Sequence, residues 1–200
     1  MKTISEYRVN ALEENTEVIE FDDLHVVVLG TGDGDGTFAG LMEEVTVKRN
    51  IKYDFIDVKK AWIADSDIEI GNVKIRNIDG KNKDCEIEMH NSIVFVRAGA
   101  IETLSSQSMV SSLQDIGFLV VNDLDSMLVC DNKMSNALLL GRNNIPIPRT
   151  SSVPNEESIE DAHQRVGGKF PVIIKTLKGT QGVGVMKIDS MSSLTGVCQS

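Results

Sequence analysis

The chain has 200 residues, three scattered cysteines and a formal net charge of −10 at pH 7. It has no apolar run long enough for a membrane span, and its acidic character disfavours nucleic acid as a partner. The polar, acidic N-terminus predicts no secretory signal, and three distant cysteines predict no disulfide framework, so a reducing cytoplasm is the expected location.

The charge is unevenly distributed along the chain. Residues 1–130 contain 12 Lys/Arg and 24 Asp/Glu, a net of −12, whereas residues 131–200 contain 8 and 6, a net of +2. A polyphosphate would therefore be held more easily by the C-terminal part. The simplest explanation for the acidic residues of the N-terminal part is that they keep a solvated surface soluble.

Strand and helix patterns alternate after a polar extension at residues 1–22. A β-branched apolar run that stops at glycine, such as LHVVVL before Gly30, is typical of a buried strand. Strands are expected in this region at residues 24–29, 53–58, 93–96 and 118–121, and helices at residues 38–49 and 102–116. Their βαβ order predicts an α/β fold with an open, mostly parallel sheet.

The middle of this region has a different pattern. Residues 68–70, 73–78 and 85–89 alternate apolar with polar side chains, and the turn sequences GN and DGKNK lie between them. Alternation of this kind indicates antiparallel hairpins with one buried face. We expect an exposed flap at the edge of the sheet.

Residues 123–200 are predicted to form a second, smaller α+β domain that follows a domain at residues 23–122. The elements expected in it are helices at 133–143 and 156–166 and strands at 149–153, 171–176 and 183–189. A helix begins shortly before Ser200, so we expect this domain to be incomplete at its C-terminus.

Two glycine-rich segments are candidates for a phosphate-binding loop. Gly30–Gly36 follows a strand, but its glycines do not fit G-x-G-x-x-G and its two aspartates would repel a pyrophosphate. The simpler interpretation is a flexible turn. KGTQGVG, from Lys178 to Gly184, joins two predicted strands, and its backbone N–H groups can approach a ligand closely.

Two lysines accompany the second loop. Lys175 ends an apolar strand, where a lysine is unfavourable unless it meets an anion, and Lys133 begins a helix from which a second point charge could reach the phosphates. Each alone is explained equally well as a surface residue. His25, His90 and His163 share no spacing, so we expect no metal site among them.

Together these segments resemble a known family. DNKMSNALLLGRNNIPIPRT, followed about twenty residues later by GGKFPVIIKTLKGTQGVGV, is similar to ATP-grasp ligases of the RimK type, relatives of glutathione synthetase. The upstream sequence IVFVRAGA resembles the end of their first domain. The resemblance covers residues 92–198 well and is weak before them. It implies a pre-ATP-grasp domain at 23–122 and an ATP-grasp lid subdomain at 123–200.

The resemblance assigns roles to individual residues. Lys133 and Lys175 correspond to the lysines that contact the phosphates of ATP, and Arg97 corresponds less strongly to an arginine on the acceptor side. The positions that correspond to the flexible loop over the triphosphate are Gly179, Thr180, Gln181, Gly182, Val183 and Gly184. No catalytic residue and no metal ligand is assigned within the chain.

The implied reaction joins a carboxylate to an amine. ATP phosphorylates the carboxylate, and an amine such as an amino acid displaces the phosphate from the acyl phosphate to leave an amide. The carboxylate belongs to a small molecule, a peptide or a protein C-terminus; neither a nucleic acid nor a membrane is an expected partner, and a homo-oligomer is left open. The Mg²⁺ ligands of the family lie after the glycine loop, beyond Ser200.

Two alternatives remain at this point. The chain could be a non-catalytic nucleotide-binding module, which an E-x-N pair in the following hundred residues would disfavour. It could also be an α/β domain that binds an unrelated small ligand in the Gly30–Gly36 turn.

Because the Mg²⁺ ligands are expected beyond Ser200, we expect residues 1–200 alone to bind ATP weakly and not to turn over. ADP release in the presence of a carboxylate and an amine measures this. Robust amide ligation by the purified 200-residue chain would contradict the expectation.

Overall fold

The computed structural model describes residues 23–32, 34, 37–78, 84–179 and 182–199. The chain divides into two compact units, Met1–Asp123 and Leu124–Ser200. The polar extension expected at residues 1–22 lies outside the described residues. Within the described part, every helix is too short or too polar to cross a membrane.

The first unit contains short and long strands and two longer helices. The strands are β1 (His25–Gly30), β2 (Lys52–Asp57), β3 (Ala61–Trp62), β4 (Ile68–Glu69), β5 (Asn72–Asn77), β6 (Cys85–Glu88), β7 (Ser92–Val96) and β8 (Leu119–Val121). The helices are α1 (Thr37–Lys48) and α2 (Leu104–Ile116).

β1 lies at the centre of a parallel sheet with the strand order β2-β1-β7-β8. Its residues from Val26 to Leu29 are at most 4% exposed, as expected for a strand covered on both faces. The predicted α/β fold with a mostly parallel sheet is confirmed. Because the chain leaves β1 toward β2 on one side and returns as β7 on the other, the carboxyl ends of β1 and β7 meet at the point where the strand order reverses.

The predicted flap is confirmed as a second, antiparallel sheet in which β5 pairs with β3, β4 and β6. Val73 and Ile75 of β5 lie opposite Ile87 and Cys85 of β6, and all four side chains are buried. Lys74 between them faces Glu86 on the more exposed side. The alternation in the sequence therefore corresponds to one buried and one solvated face.

Helix α2 has a defined beginning and end. Thr103 and Ser106 form a reciprocal capping box at its first turn, and Gly117 ends it in a left-handed conformation with a φ of 111°. Met109, Val110 and Leu113 are buried on its inner face. The helix thus covers one side of the sheet with a short, sharply terminated segment.

The second unit combines helices with one hairpin. Its elements are α3 (Leu124–Asp131), α4 (Lys133–Arg142), α5 (Ile159–Arg165), β9 (Val172–Lys175), β10 (Val185–Ile188) and α6 (Met191–Cys198). β9 and β10 pair antiparallel. Ile159, Ile188 and Leu194 form a small buried core, against which Phe170 and Val172 pack.

The strand predicted at residues 149–153 is wrong, because this segment has no regular secondary structure. It lies between Pro148 and Pro154, and proline restricts the residue before it and donates no hydrogen bond to a ladder. Thr150 instead donates its hydroxyl to the Pro148 carbonyl, over 3.0 Å. Its β-branched residues are therefore part of an exposed connection.

An ion pair in the flap predicts acid sensitivity. The Arg76 guanidinium bonds both oxygens of Asp67, with Nε 2.8 Å from Oδ2, and this holds the pKa of Asp67 below its usual value. A carboxyl whose pKa is lower in the folded state stabilises the protein at pH values above its unfolded-state pKa of about 3.9. This stabilisation is lost as the pH falls through the folded-state pKa.

We therefore expect Asp67→Asn to lower the midpoint of thermal unfolding at pH 7, and the difference from the wild type to shrink below about pH 4. Asp65→Asn removes the same charge two residues away and is the control. A deficit of Asp67→Asn that stays constant from pH 7 to pH 3 would contradict this assignment.

Candidate functional site

The glycine-rich loop of the second unit is joined to the start of α4 by the backbone of Lys133. Asn132 precedes the helix, and its side-chain oxygen accepts hydrogen bonds from the N–H groups of Met134 and Ser135, each over 3.0 Å. The Lys133 N–H is directed elsewhere and donates to the Leu177 carbonyl over 3.0 Å. The N-cap therefore places Lys133 against the residues that lead into the loop.

The side chain of Lys133 makes a second connection to this segment. Its Nζ donates a hydrogen bond to the Gly179 carbonyl over 2.9 Å. The structure thus brings together Lys133 and Gly179, two residues 46 positions apart that the sequence assigned to the same site. A lysine ammonium has three N–H donors, so this contact uses one of them and leaves two for other acceptors.

Asp131 adds a third connection that the sequence analysis missed. Its carboxylate Oδ2 lies 3.3 Å from the Lys178 Nζ. Lys178 is the first residue of KGTQGVG, and Asp131 is the first residue of DNKMSNALLLGRNNIPIPRT, the segment that contains Lys133. The sequence contains a signal for this ion pair, because two segments assigned to one site begin with opposite charges, Asp131 and Lys178.

Lys175 ends β9 and lies opposite Val185 of β10, with its side chain exposed. The expectation that this lysine is unfavourable without an anion was wrong, because β9 is partly buried on one face only and Lys175 belongs to the exposed face. Its charge is hydrated and accessible to a ligand. Its place in the hairpin puts it one residue before Thr176, which contacts both ends of the glycine loop.

Thr176 closes the loop at its base. Its N–H donates to the Gly184 carbonyl over 3.1 Å, and its hydroxyl donates to the Lys178 carbonyl over 2.5 Å. Gly184 has a φ of 71°, and a Cβ there would lie 2.6 Å from the Thr176 Cγ2. Glycine is therefore required at 184 both by backbone conformation and by the close approach of Thr176.

The other loop residues are only partly described. Gly179 and Gly182 also have positive φ values, of 131° and 79°, and Val183 is exposed. Thr180 and Gln181, which were assigned to the same loop, lie outside the described residues. The described ends of the loop therefore have the backbone conformations that glycine provides.

Arg97 belongs to the first unit, where it follows β7 at the carboxyl edge of the parallel sheet. Its N–H donates to the Leu29 carbonyl over 2.9 Å, and its guanidinium carbon lies 4.1 Å from the centroid of the Phe38 ring. A guanidinium over an aromatic face is held in place while its edge N–H groups stay accessible. Arg97 is exposed at the strand-order reversal, where ligands of open α/β sheets bind.

Part of the second unit is similar to a known family of domains. Residues 130–200 match the model of the RimK-like ATP-grasp domain. Over this range the chain is similar to RimK-like ATP-grasp domains. The match begins one residue before Asp131 and includes Lys133, Lys175 and the glycine loop.

Curated relatives of the chain have ligase names. A probable alpha-L-glutamate ligase of Vibrio vulnificus strain YJ016 is 30% identical over 152 residues, which cover 76% of this chain and 47% of that protein. One of the same name from Teredinibacter turnerae is 38% identical over 93 residues, or 46% of this chain and 31% of that protein. The chain thus spans about half the length of the Vibrio relative.

Solved structures share the fold. A RimK domain ATP-grasp protein from Sphaerobacter thermophilus superposes with a TM-score of 0.61 at 18% identity, over 88% of this chain and 58% of that one. D-Alanine-D-Alanine ligase from Helicobacter pylori gives a TM-score of 0.54 at 16% identity, over 88% and 60%. At these identities the likeness concerns the fold alone.

The contact between Thr176 and Gly184 gives a testable consequence for the RimK-like domain. Gly184→Ala should lower the free energy of unfolding of this domain by roughly 1–3 kcal/mol more than Gly182→Ala does. Both substitutions place alanine at a positive φ, but a Cβ at Gly182 meets no atom of the described residues within 4 Å. Urea denaturation followed by amide exchange at Thr176 measures the difference, and equal losses for the two variants would contradict it.

Proposed function

We propose that the chain is the nucleotide-binding part of an ATP-dependent carboxylate-amine ligase. The observation that carries this proposal is a pair of hydrogen bonds made by Lys133. Its Nζ donates to Gly179 in the glycine loop, and its N–H donates to Leu177, the residue just before the loop. A cation fixed under a loop of glycines is a suitable site for the triphosphate of ATP.

The residues around the loop fit a polyphosphate. The ammonium groups of Lys133, Lys175 and Lys178 provide positive charge, of which Asp131 neutralises one. Lys133 retains two N–H donors while it holds Gly179, so it can bind phosphate oxygens and the loop at the same time. In this proposal the loop covers the triphosphate, and Lys133 connects the cover to the ligand.

The residues do not fit Mg²⁺. Within the described residues, the set of metal-ligating side chains close enough to share an ion is His25, Asp54 and Cys85, which lies in the first unit. Mg²⁺ prefers oxygen ligands and not imidazole or thiolate. The chemistry that we propose for this chain is therefore positioning, charge neutralisation at the phosphates and exclusion of water by the loop.

The reaction that this site would serve is transfer of the terminal phosphoryl group of ATP to a carboxylate. The acyl phosphate formed would be attacked by an amine, which releases phosphate and leaves an amide. The alpha-L-glutamate ligase names of the relatives support glutamate as the amine. As the acceptor we propose a peptide or protein carboxyl end. Arg97, accessible at the strand-order reversal, is a candidate to bind the carboxylate. We place this reaction in the cytoplasm.

The test of the nucleotide site is the affinity of the 200-residue chain for ATP. Lys133→Ala and Lys175→Ala should each weaken binding by about 10- to 150-fold, since a hydrogen bond to a charged group contributes about 1.5–3 kcal/mol. Isothermal titration or phosphorus NMR measures this change.

Lys187→Ala is the matched control for these variants. It removes the same charge from β10, where Lys187 pairs with Asp189 over 3.0 Å, and should leave the affinity within about twofold. Binding that survives the double variant Lys133→Ala with Lys175→Ala but is lost when Gly34 is changed would overturn the proposal in favour of a ligand at the first glycine turn.

Turnover separates a ligase from a non-catalytic module. The matched residues cover only 47% of the Vibrio relative, so the assay uses the full reading frame that contains residues 1–200. With ATP, glutamate and a peptide carboxylate, ADP release and amide formation should fall together in Lys133→Ala. ATP binding without turnover across carboxylate and amine panels would favour the non-catalytic module.

A further inference from the structure

A group of three side chains in the first unit is not explained by nucleotide binding. His25, Asp54 and Cys85 lie on three strands, β1, β2 and β6, and their ligand atoms are all within 4.8 Å of one another. The Nε2 of His25 is 2.8 Å from the Oδ2 of Asp54. His25 and Cys85 are buried, whereas the side chain of Asp54 is 41% exposed.

The order of the three groups does not fit a cysteine nucleophile. An activated cysteine needs a histidine next to its sulfur to take the proton, with a carboxylate behind the histidine. Here the carboxylate of Asp54 accepts hydrogen bonds from both the imidazole and the thiol. Burial and the nearby Asp54 charge raise the pKa of Cys85 to about 12, so the sulfur is held as a thiol.

The same three groups are a suitable ligand set for zinc. Imidazole nitrogen, carboxylate oxygen and thiolate sulfur are the donors that zinc binds in proteins, with bonds of about 2.0–2.3 Å. Tetrahedral bonds of that length separate neighbouring ligand atoms by about 3.3–3.8 Å. The three donors here, with 2.8 Å between His25 and Asp54 and all distances within 4.8 Å, would reach that arrangement by shifts of about 1 Å or less.

We propose that His25, Asp54 and Cys85 form a zinc-binding site that joins the parallel sheet to the antiparallel flap. Zn²⁺ enters from the exposed side of Asp54 and binds the Cys85 sulfur as the thiolate, and the thiol proton is released to solvent. Water takes the fourth position. The site crosslinks strands that are far apart in the chain, so bound metal stabilises the first unit.

The backbone around the site is already fixed. His25 donates its backbone N–H to the Asn91 carbonyl over 2.8 Å, and its strand pairs with β2 and β7. Cys85 pairs with Ile75 inside the flap. Because the ligands come from paired strands, the site does not need a disordered segment to fold around the ion, and binding by a preorganised site is tighter.

Cobalt(II) is the probe for this site, because it occupies zinc sites and a cobalt–thiolate bond absorbs in the near ultraviolet. The 200-residue chain, treated with a chelator and dialysed, should gain this absorption and saturate at one equivalent of Co²⁺. Added Zn²⁺ should remove it and raise the midpoint of thermal unfolding. Absence of the thiolate band in the wild type would overturn the proposal.

Cys85→Ser should abolish the thiolate band, whereas Cys130→Ser, at an exposed cysteine of the second unit, should keep it. Cys85 is buried, so Asp54→Asn at the partly exposed ligand provides a second variant if Cys85→Ser does not fold. It should weaken Co²⁺ binding by about tenfold or more, the effect expected when metal-site geometry is lost. A band that persists in Cys85→Ser, that disappears in Cys130→Ser, or that is unchanged in affinity in Asp54→Asn would refute the site.

Discussion

The proposed nucleotide site depends on one residue, Lys133, whose side chain is hydrogen-bonded to the glycine loop and whose backbone is hydrogen-bonded to Leu177 just before it. The N-cap Asn132 satisfies the next two N–H groups of α4, and this leaves the Lys133 N–H to reach Leu177. Without this cap the first turn of the helix would compete for the same acceptors. The position of the loop is therefore linked to the way in which a neighbouring helix begins.

Charge at the loop is balanced rather than simply positive. Lys178 is paired with Asp131, while Lys175 is exposed at the end of β9. An exposed ammonium is stable without a ligand, so the second unit needs no anion in order to fold. Residues 131–200 have a net charge of only +2. Because Asp131 offsets the charge of Lys178, this segment can still concentrate cations near the loop. Affinity then arises from a few directed donors and not from overall charge.

The sequence predicts the parallel sheet and the flap well, because each has its own pattern of apolar residues. Val26–Leu29 form a continuous apolar run, whereas Val73 and Ile75 alternate with polar residues. It predicts Lys133 and Gly179 as partners only through a family resemblance. It fails at 149–153, where flanking prolines outweigh β-branched residues. The grouping of His25, Asp54 and Cys85 could not be read from spacing, because it arises from strand register and from the position of the flap.

The pairing of β1 also constrains the order in which the first unit can assemble. His25 pairs with Lys52 on one side and with Ser92 on the other, and the whole flap lies between these two partners in the chain. During synthesis β1 and β2 emerge early, but the central strand keeps one open edge until β7 has left the ribosome. The hairpins of the flap make mostly local contacts and can fold in that interval. A central strand whose second partner is synthesised late has an edge open to wrong pairing, so β1 is exposed to aggregation during biosynthesis.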